Sequence, residues 1–453
     1  CGASLGLEAG FSQLGAAFGS RIGRHLRMHR ADVRLLVGCG AAGAIGAAFD
    51  APLAGAFYAF ELIIGTYTLS ALAPIALAAI AALGVVHLTG MVTPSVVVST
   101  PARIPGIAYL PIAGLGIVAA FVGIMLMRAV TLTERILHRL PLPQWLKPAL
   151  GGLLVGLLAL ISPSVLSSGH MAMQMGLVST PPLLLAAGLL VLKALASAIS
   201  IGSGVRGGLF FASLYLGVLT GAVFAGVLSP LMTLPVSVCT VVGMCALAVA
   251  VIGGPMTMIF LALETTGSLP LTTAVMVSAI LSSMTVRRTF GYSFATWRFH
   301  LRGETIRSGV DVGWMRNLTV ARMMRTDVPT LPANTPVAAA REAYPGITPR
   351  YIILRDANRR YVGLIENAQL HARHYTDTTP VTALVQEGDE TLAAQTSLSC
   401  ALASFERTTR PALAVTNENG MVLGLLTERY VLRRYAEELE RTRRELAGEK
   451  HKT

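Results

Sequence analysis

Acidic residues are scarce over most of this 453-residue chain. Of its 24 Asp and Glu, six lie before Arg288 (Glu8, Asp32, Asp50, Glu61, Glu134 and Glu264), and the rest lie from Glu304 onward. Charged residues total 13%, against roughly 25% in an ordinary soluble domain. That shortage excludes a single soluble domain, and 53% hydrophobic residues exclude a disordered chain. Cysteine is sparse too. Cys1, Cys39, Cys239, Cys245 and Cys400 show no CxxC spacing, which excludes a disulfide framework and points to no metal site. The net charge of +12 raises the question of nucleic acid, but aromatics are only 6% and do not interleave with the basic residues. Those basic residues form short runs between apolar stretches: Arg21, Arg24, Arg27, Arg30 and Arg34, then Arg128, Arg135 and Arg139, then Arg287 and Arg288. Loops at a membrane face carry Lys and Arg in this way, so the expected partner is a lipid bilayer and no nucleic acid.

What the first 290 residues do contain is apolar stretches, at roughly 33–48, 51–64, 70–94, 106–127, 147–162, 181–200, 209–228, 236–252, 255–264 and 270–286. Some approach the ~20 residues that a spanning helix needs. Others are short or cut by Gly and Pro, as in broken helices that end inside a bilayer. An internal repeat runs through them. Gly40, Pro52 and Glu61 (ending FYAFE) recur as Gly243, Pro255 and Glu264 (ending FLALE), with the same spacings of 12 and 9. Such a repeat predicts two structural halves with a substrate site between them.

Composition changes after Arg288. Residues 293–316 read as a connector. YIILRDANRRYVGLIE (351–366) then aligns without a gap on ALAVTNENGMVLGLLT (412–427). Each reads as strand, polar turn, strand. Helical patterns at 335–344 and 398–407 accompany them, and a charged helix is expected at 430–450.

Gly38-Cys39-Gly40-Ala41-Ala42-Gly43 matches a dinucleotide-binding GxGxxG, with Glu61 about twenty residues on. No βαβ alternation surrounds it, so small residues that let helices pack closely are the better reading. Two other segments carry chemistry. Gly6-Leu7-Glu8-Ala9-Gly10 places one carboxylate between glycines just before a helix. It is either a helix cap or a mobile group competing with an anion for free N–H groups. Gly202 to Phe211 (GSGVRGGLFF) is a second glycine-rich helix start, or simply a tight turn. Together the two predict opposed helix N-termini around one anion. Arg206 either raises the local anion concentration or faces a loop. His170 and Glu134 have no pattern around them and read as packing or loop residues.

These segments make the chain resemble the CLC family of chloride channels and proton-coupled chloride transporters, with a C-terminal pair of CBS domains. GLEAG is similar to the family's G(K/R)EGP motif, GGLFFA (207–212) to GGIFAP, and FDAPLAGAFYAFE (49–61) to the FNAPLAG segment. The resemblance implies an α-helical integral membrane protein, an inverted repeat of broken, tilted helices, plus a C-terminal α/β CBS domain pair. It divides the chain into a transmembrane domain at 1–302, a linker at 303–316, CBS domains at 317–373 and 374–436, and a charged tail at 437–453. It implies a homodimer in the plasma (inner) membrane with the CBS domains cytoplasmic. Glu8 becomes the gating residue. Gly6, the amides of Leu209 and Phe210, and the hydroxyl of Tyr292 (in FGYS) become the anion-binding groups.

Departures from the family pattern shape the expected function. In the family a GSGIP motif, with its selectivity serine, precedes the gating glutamate. It is expected to fall before Cys1, which leaves chloride versus nitrate open. Leu7 stands for the usual basic residue, Ala9 and Gly10 for Gly-Pro, Arg206 for a proline and Ala212 for another. Coupled transporters of the family carry two acids in series after FNAPLAG. In this chain Glu61 matches the first and reads as a structural acid at a helix end, while Leu62 occupies the proton-transfer position and cannot carry a proton. The expectation is therefore passive conduction of chloride or a similar small anion, gated by Glu8, with no enzymatic activity and no cofactor. One alternative is a proton-coupled antiporter with an atypical proton route. The other is a membrane regulator that senses adenine nucleotides at the CBS pair. For that pair, Thr427 matches the Ser/Thr of the nucleotide pattern, whereas Tyr430 replaces the acid and the first repeat has Glu366 and Gln369.

Overall fold

The computed structural model describes residues 2–90, 103–297 and 319–437, except 142, 233, 295, 347, 373–374, 386–389 and 435. The expected linker at 303–316 and the tail at 437–453 lie outside these residues, apart from Glu437. The chain divides into two compact units between Val310 and Asp311.

In the first unit, helices occupy the apolar stretches, α5 runs on to Arg139, and α1 and α7 form outside those stretches. They are α1 (Glu8–His25), α2 (Arg30–Phe49), α3 (Pro52–Tyr58), α4 (Leu69–Leu88), α5 (Tyr109–Arg139), α6 (Lys147–Ile161), α7 (His170–Val178), α8 (Leu183–Gly202), α9 (Phe210–Leu228), α10 (Val236–Ile252), α11 (Pro255–Thr266) and α12 (Leu269–Thr289). A π-helical turn, Ala59–Ile64, extends α3. Six of the described helices (α2, α4, α5 with the turn before it, α8, α9 and α12) are long and apolar enough to cross a membrane. Between them, α3 with its π turn, α6 and α10 are apolar but shorter. Breaks fall where the sequence demands them. Pro52 and Pro255 open α3 and α11, where the missing N–H costs nothing, and Gly253 and Gly267 end α10 and α11 in the left-handed conformation.

The repeat has a structural counterpart. α1 packs on α2 where Gly15 meets Gly40; a Cβ on Gly15 would stand 2.2 Å from the Gly40 carbonyl oxygen. α9 packs on α10 where Gly217 meets Gly243; a Cβ on Gly217 would stand 2.5 Å from the Gly243 oxygen. Gly40 and Gly243 are the repeat partners. The GxGxxG segment thus lies within α2 and serves helix packing.

The second unit holds two equal sheets. In the first, β1 (Thr330–Pro332) runs parallel to β2 (Tyr351–Arg355), which is antiparallel to β3 (Tyr361–Glu366). β4 (Thr391–Ala393), β5 (Ala412–Thr416) and β6 (Val422–Thr427) repeat this order, with the bulge at the same place. Both hairpins turn on an equivalent side chain. Asp356 Oδ1 accepts from the amides of Asn358 and Arg360, and Asn417 Oδ1 from those of Asn419 and Met421. Tyr351, Ile353 and Leu364 pack against Ala412, Ala414 and Leu425 and join the two repeats. This is the α/β repeat pair that the CBS resemblance implies.

Candidate anion site at two helix starts

Residues 4–9 and 205–211 approach so closely that glycine is required. Gly6 and Gly208 form a two-residue antiparallel bridge, with Gly6 N–H donating to Gly208 O at 3.0 Å and Gly208 N–H to Gly6 O at 3.1 Å. A Cβ on Gly208 would lie 2.9 Å from the Ala9 Cβ. Ser4 ties the first segment to α8: its N–H donates to Ser200 Oγ at 3.0 Å, and its hydroxyl pairs with Ser197 Oγ at 3.1 Å. The bridge brings the N-termini of α1 and α9 together. Neither helix has a side-chain cap, so each presents free N–H groups and the positive end of its dipole.

Glu8 opens α1 and is 3% exposed. Its carboxylate folds back over Gly6, where a Cβ would lie 1.9 Å from Oε2. The amides of Glu8 itself, Phe211 and Leu7 face the carboxylate. Oε2 is buried with no hydrogen-bond partner among the described residues. The carboxylate thus occupies the junction of the two helix starts, where free N–H groups favour negative charge. Leu7, the residue before Glu8, is exposed, and so is Arg206, two residues before Gly208. Tyr58 of α3 donates to Ser12 Oγ at 3.4 Å, one turn into α1.

The structure therefore brings Glu8, Gly6, Leu209 and Phe210 to one place. The Gly6 N–H is held by Gly208 O, and the missing side chain of Gly6 leaves the space that the Glu8 carboxylate fills. The amide facing Glu8 from the second helix is that of Phe211, next to the Leu209 and Phe210 amides that the resemblance assigns to an anion. Tyr292 lies in an aromatic group, 5.7 Å from Trp297 and 6.5 Å from Phe290 by ring centroids, with Arg128 6.0 Å from the Phe290 ring. Sequence reading passed over the aromatic wall of the site. Phe211 stacks on Phe49 at 4.6 Å, Phe49 meets Phe210 at 4.9 Å, and His170 meets Phe211 edge-on at 4.9 Å.

Glu61 is a structural acid that caps a helix, as the sequence suggests. Oε1 accepts from Met256 N–H at 2.9 Å; Oε2 accepts from Thr257 N–H at 2.8 Å and Thr257 Oγ1 at 2.6 Å. Leu62 is half-buried beside it. In the second unit, Thr427 ends β6. Its counterpart Glu366 is committed to a capping box with Gln369. Among the described residues no group of His, Cys, Asp and Glu could hold a metal ion.

Known proteins share this sequence and fold. A sequence model described as "Voltage gated chloride channel" matches residues 1–287. The voltage-gated ClC-type chloride channel ClcB of Citrobacter koseri is 31% identical over 295 residues, covering 63% of this chain and 69% of that one. Two solved structures share the fold. A slow cyanobacterial Cl-/H+ antiporter has a TM-score of 0.60 at 22% identity, over 66% of this chain and 72% of that one. A eukaryotic CLC transporter has 0.58 at 17%, over 94% and 77%. The chain is an integral membrane protein of the CLC chloride channel and transporter family.

Proposed function

We propose that this protein conducts chloride or a similar small anion passively, with Glu8 as the gate. The observation that carries the reading is the buried Glu8 carboxylate, held over Gly6 and facing the Phe211 amide at the junction of two uncapped helix starts. An anion has the same charge and the same use for those N–H groups, so carboxylate and anion compete for one place. Protonated Glu8 loses its charge and yields the place. Amides replace part of the hydration shell, and binding is strong enough to admit the ion but weak enough to release it. Arg206, exposed near the junction, raises the local anion concentration. Leu209 and Phe210 amides and the Tyr292 hydroxyl complete the anion's ligands in this reading.

Uncoupled transport follows from the neighbourhood of residue 62. Leu62 has no proton to exchange, and three donors occupy Glu61. A second reading, proton-coupled antiport, is favoured by the fold likeness to a structure described as a Cl-/H+ antiporter, and would need a proton route that avoids both residues. We place the protein in the inner membrane as a homodimer, with the CBS pair cytoplasmic. That pair supports and dimerises the membrane unit, because the acid site of the first repeat is spent on capping and Tyr430 replaces the acid of the second. The test is anion flux from liposomes as a function of external pH. Flux that rises on acidification in the wild type, and is flat in Glu8→Gln, supports the reading; equal or lower flux at acidic pH with Glu8 intact contradicts it.

A further inference from the structure

Lys193 lies in the middle of α8, a candidate membrane span, and is 1% exposed. A buried ammonium is costly and persists only where its protons are used. No described carboxylate pairs with it. It donates instead to two backbone carbonyls, Val165 O at 3.1 Å and Ser167 O at 2.9 Å, and stands 5.8 Å from the Tyr215 ring centre. The held segment is confined from the other side as well. Gly169 is left-handed (φ +80°), and a Cβ there would lie 2.8 Å from Tyr215 Cδ1 and 3.4 Å from Lys193 Cε.

This segment touches both sides of the Glu8 junction. The Ser167 N–H donates to Gly2 O at 3.3 Å, four residues before Gly6. One residue past Gly169, His170 opens α7 with its ring edge-on to Phe211. Phe211 is clamped between His170 and Phe49, and its amide faces Glu8. We propose that Lys193 and His170 are positioning residues for the gate: Lys193 pins residues 165–169, and His170 transmits that position to Phe211 and so to the amide beside Glu8. The inference rests on the reading of Glu8 as the gate. Lys193 is not an anion ligand; it acts through the backbone it holds.

The groups around these residues fix the form of the test. His170 Nε2 lies 3.0 Å from Gln174 Nε2, and its backbone N–H donates to Ser168 Oγ at 3.4 Å. Lys193 approaches from α8 and Tyr215 from α9. The titratable side chain facing Glu8 from α3 is Tyr58, with Arg206 exposed on the segment leading to α9. Since His170 touches Phe211 by its ring, ring contact and charge separate by substitution.

The experiment is the pH–flux curve in liposomes for the full chain, its Glu8→Gln control, Lys193→Met, Lys193→Arg, His170→Ala and His170→Phe. Loosening the Phe211 amide weakens the hold on ionised Glu8. The midpoint of acid activation should therefore move to higher pH by about 0.5–1 unit in Lys193→Met and His170→Ala. Lys193→Arg keeps the donors and His170→Phe keeps the ring, so both should hold the wild-type midpoint. The double variant Lys193→Met/His170→Ala should shift no further than either single one. If Lys193→Met does not fold, the His170 pair and Lys193→Arg decide alone. A wild-type midpoint in His170→Ala, or equal shifts in His170→Ala and His170→Phe, overturns the inference while the Glu8 reading stands. A wild-type curve that Glu8→Gln leaves unchanged overturns both.

Discussion

Glu61 and Glu264 each cap a helix in the opposite half of the repeat. Glu61 accepts from the amides of Met256 and Thr257 at the start of α11, and Glu264 accepts from Leu53 at 2.8 Å and Ala54 at 2.9 Å at the start of α3. The exchange bolts the two halves together with acids at matched positions, nine residues after Pro52 and Pro255. Each carboxylate takes charge-assisted hydrogen bonds, worth about 1.5–3 kcal/mol apiece. Replacement by glutamine keeps one acceptor oxygen and loses the charge. Glu61→Gln and Glu264→Gln should each cost about 1–3 kcal/mol. Glu61→Gln should cost more, since Thr257 Oγ1 also donates to it. Thermal unfolding in detergent checks this; unchanged melting of both variants would refute the capping role.

Gly6 offers a way to move Glu8 without replacing its carboxylate. A Cβ at this position would stand 1.9 Å from Glu8 Oε2, far inside contact distance. The backbone there is tied by the Gly208 bridge, so the carboxylate is the part that gives way. Gly6→Ala should raise flux at neutral pH and flatten the acid activation, as Glu8→Gln does. Flux measured at neutral and acidic pH decides; a lower, still acid-activated flux would mean that Glu8 does not rest over Gly6.

The sign of the pH effect follows from the groups around Glu8. Ionised, the carboxylate attracts the amides and fills the junction; protonated, it has no charge to hold it there. Wild-type flux should thus increase as external pH falls, and Glu8→Gln should be high and independent of pH. Stopped-flow anion efflux at a series of external pH values checks both curves.

Most of the membrane architecture was legible because most of its helices announce themselves by composition. Apolar runs and their Gly or Pro breaks located α2 to α4, α6 and α8 to α12 within a few residues, but α5 runs on to Arg139, twelve residues past its run, and α7 matches no run; the Pro52/Pro255 spacing exposed the repeat. Glu8 stood out in the sequence because an acid between glycines is rare in such a chain. What the sequence did not reveal is which partner each group finds. Glu61 could be recognised as a cap, but the helix it caps lies 195 residues away. Gly6 carries an N–H in any reading, and only the pairing with Gly208 shows that it is spent. Phe211, Phe49 and His170 look like packing residues along the chain and become a wall only when α2, α7 and α9 meet. Lys193 did leave a signal, a single lysine in the run at 181–200, which sequence reading passed over.

Arg341 gives a prediction for the second unit. Its guanidinium donates to Leu370 O at 2.5 Å, Ala372 O at 3.1 Å and Asp377 Oδ1 at 2.7 Å, fastening the helix at Val337–Ala343 to the chain that leads out of the first repeat. Arg341→Ala would leave these carbonyls without their donor. It should destabilise this repeat by about 2 kcal/mol, with lysine only a partial substitute for a forked donor. Limited proteolysis of the full chain would show faster cleavage within 319–385 in Arg341→Ala, and unchanged cleavage would count against the role.

The central claim is that anions move through this protein without moving protons. The most direct test imposes a chloride gradient across liposomes containing the wild-type protein and records external pH while chloride leaves. The account predicts chloride efflux with no proton movement against a gradient, because Leu62 carries no proton and Glu61 is committed to the start of α11. Protons pumped at a fixed ratio to chloride would contradict it and establish a proton route through other residues.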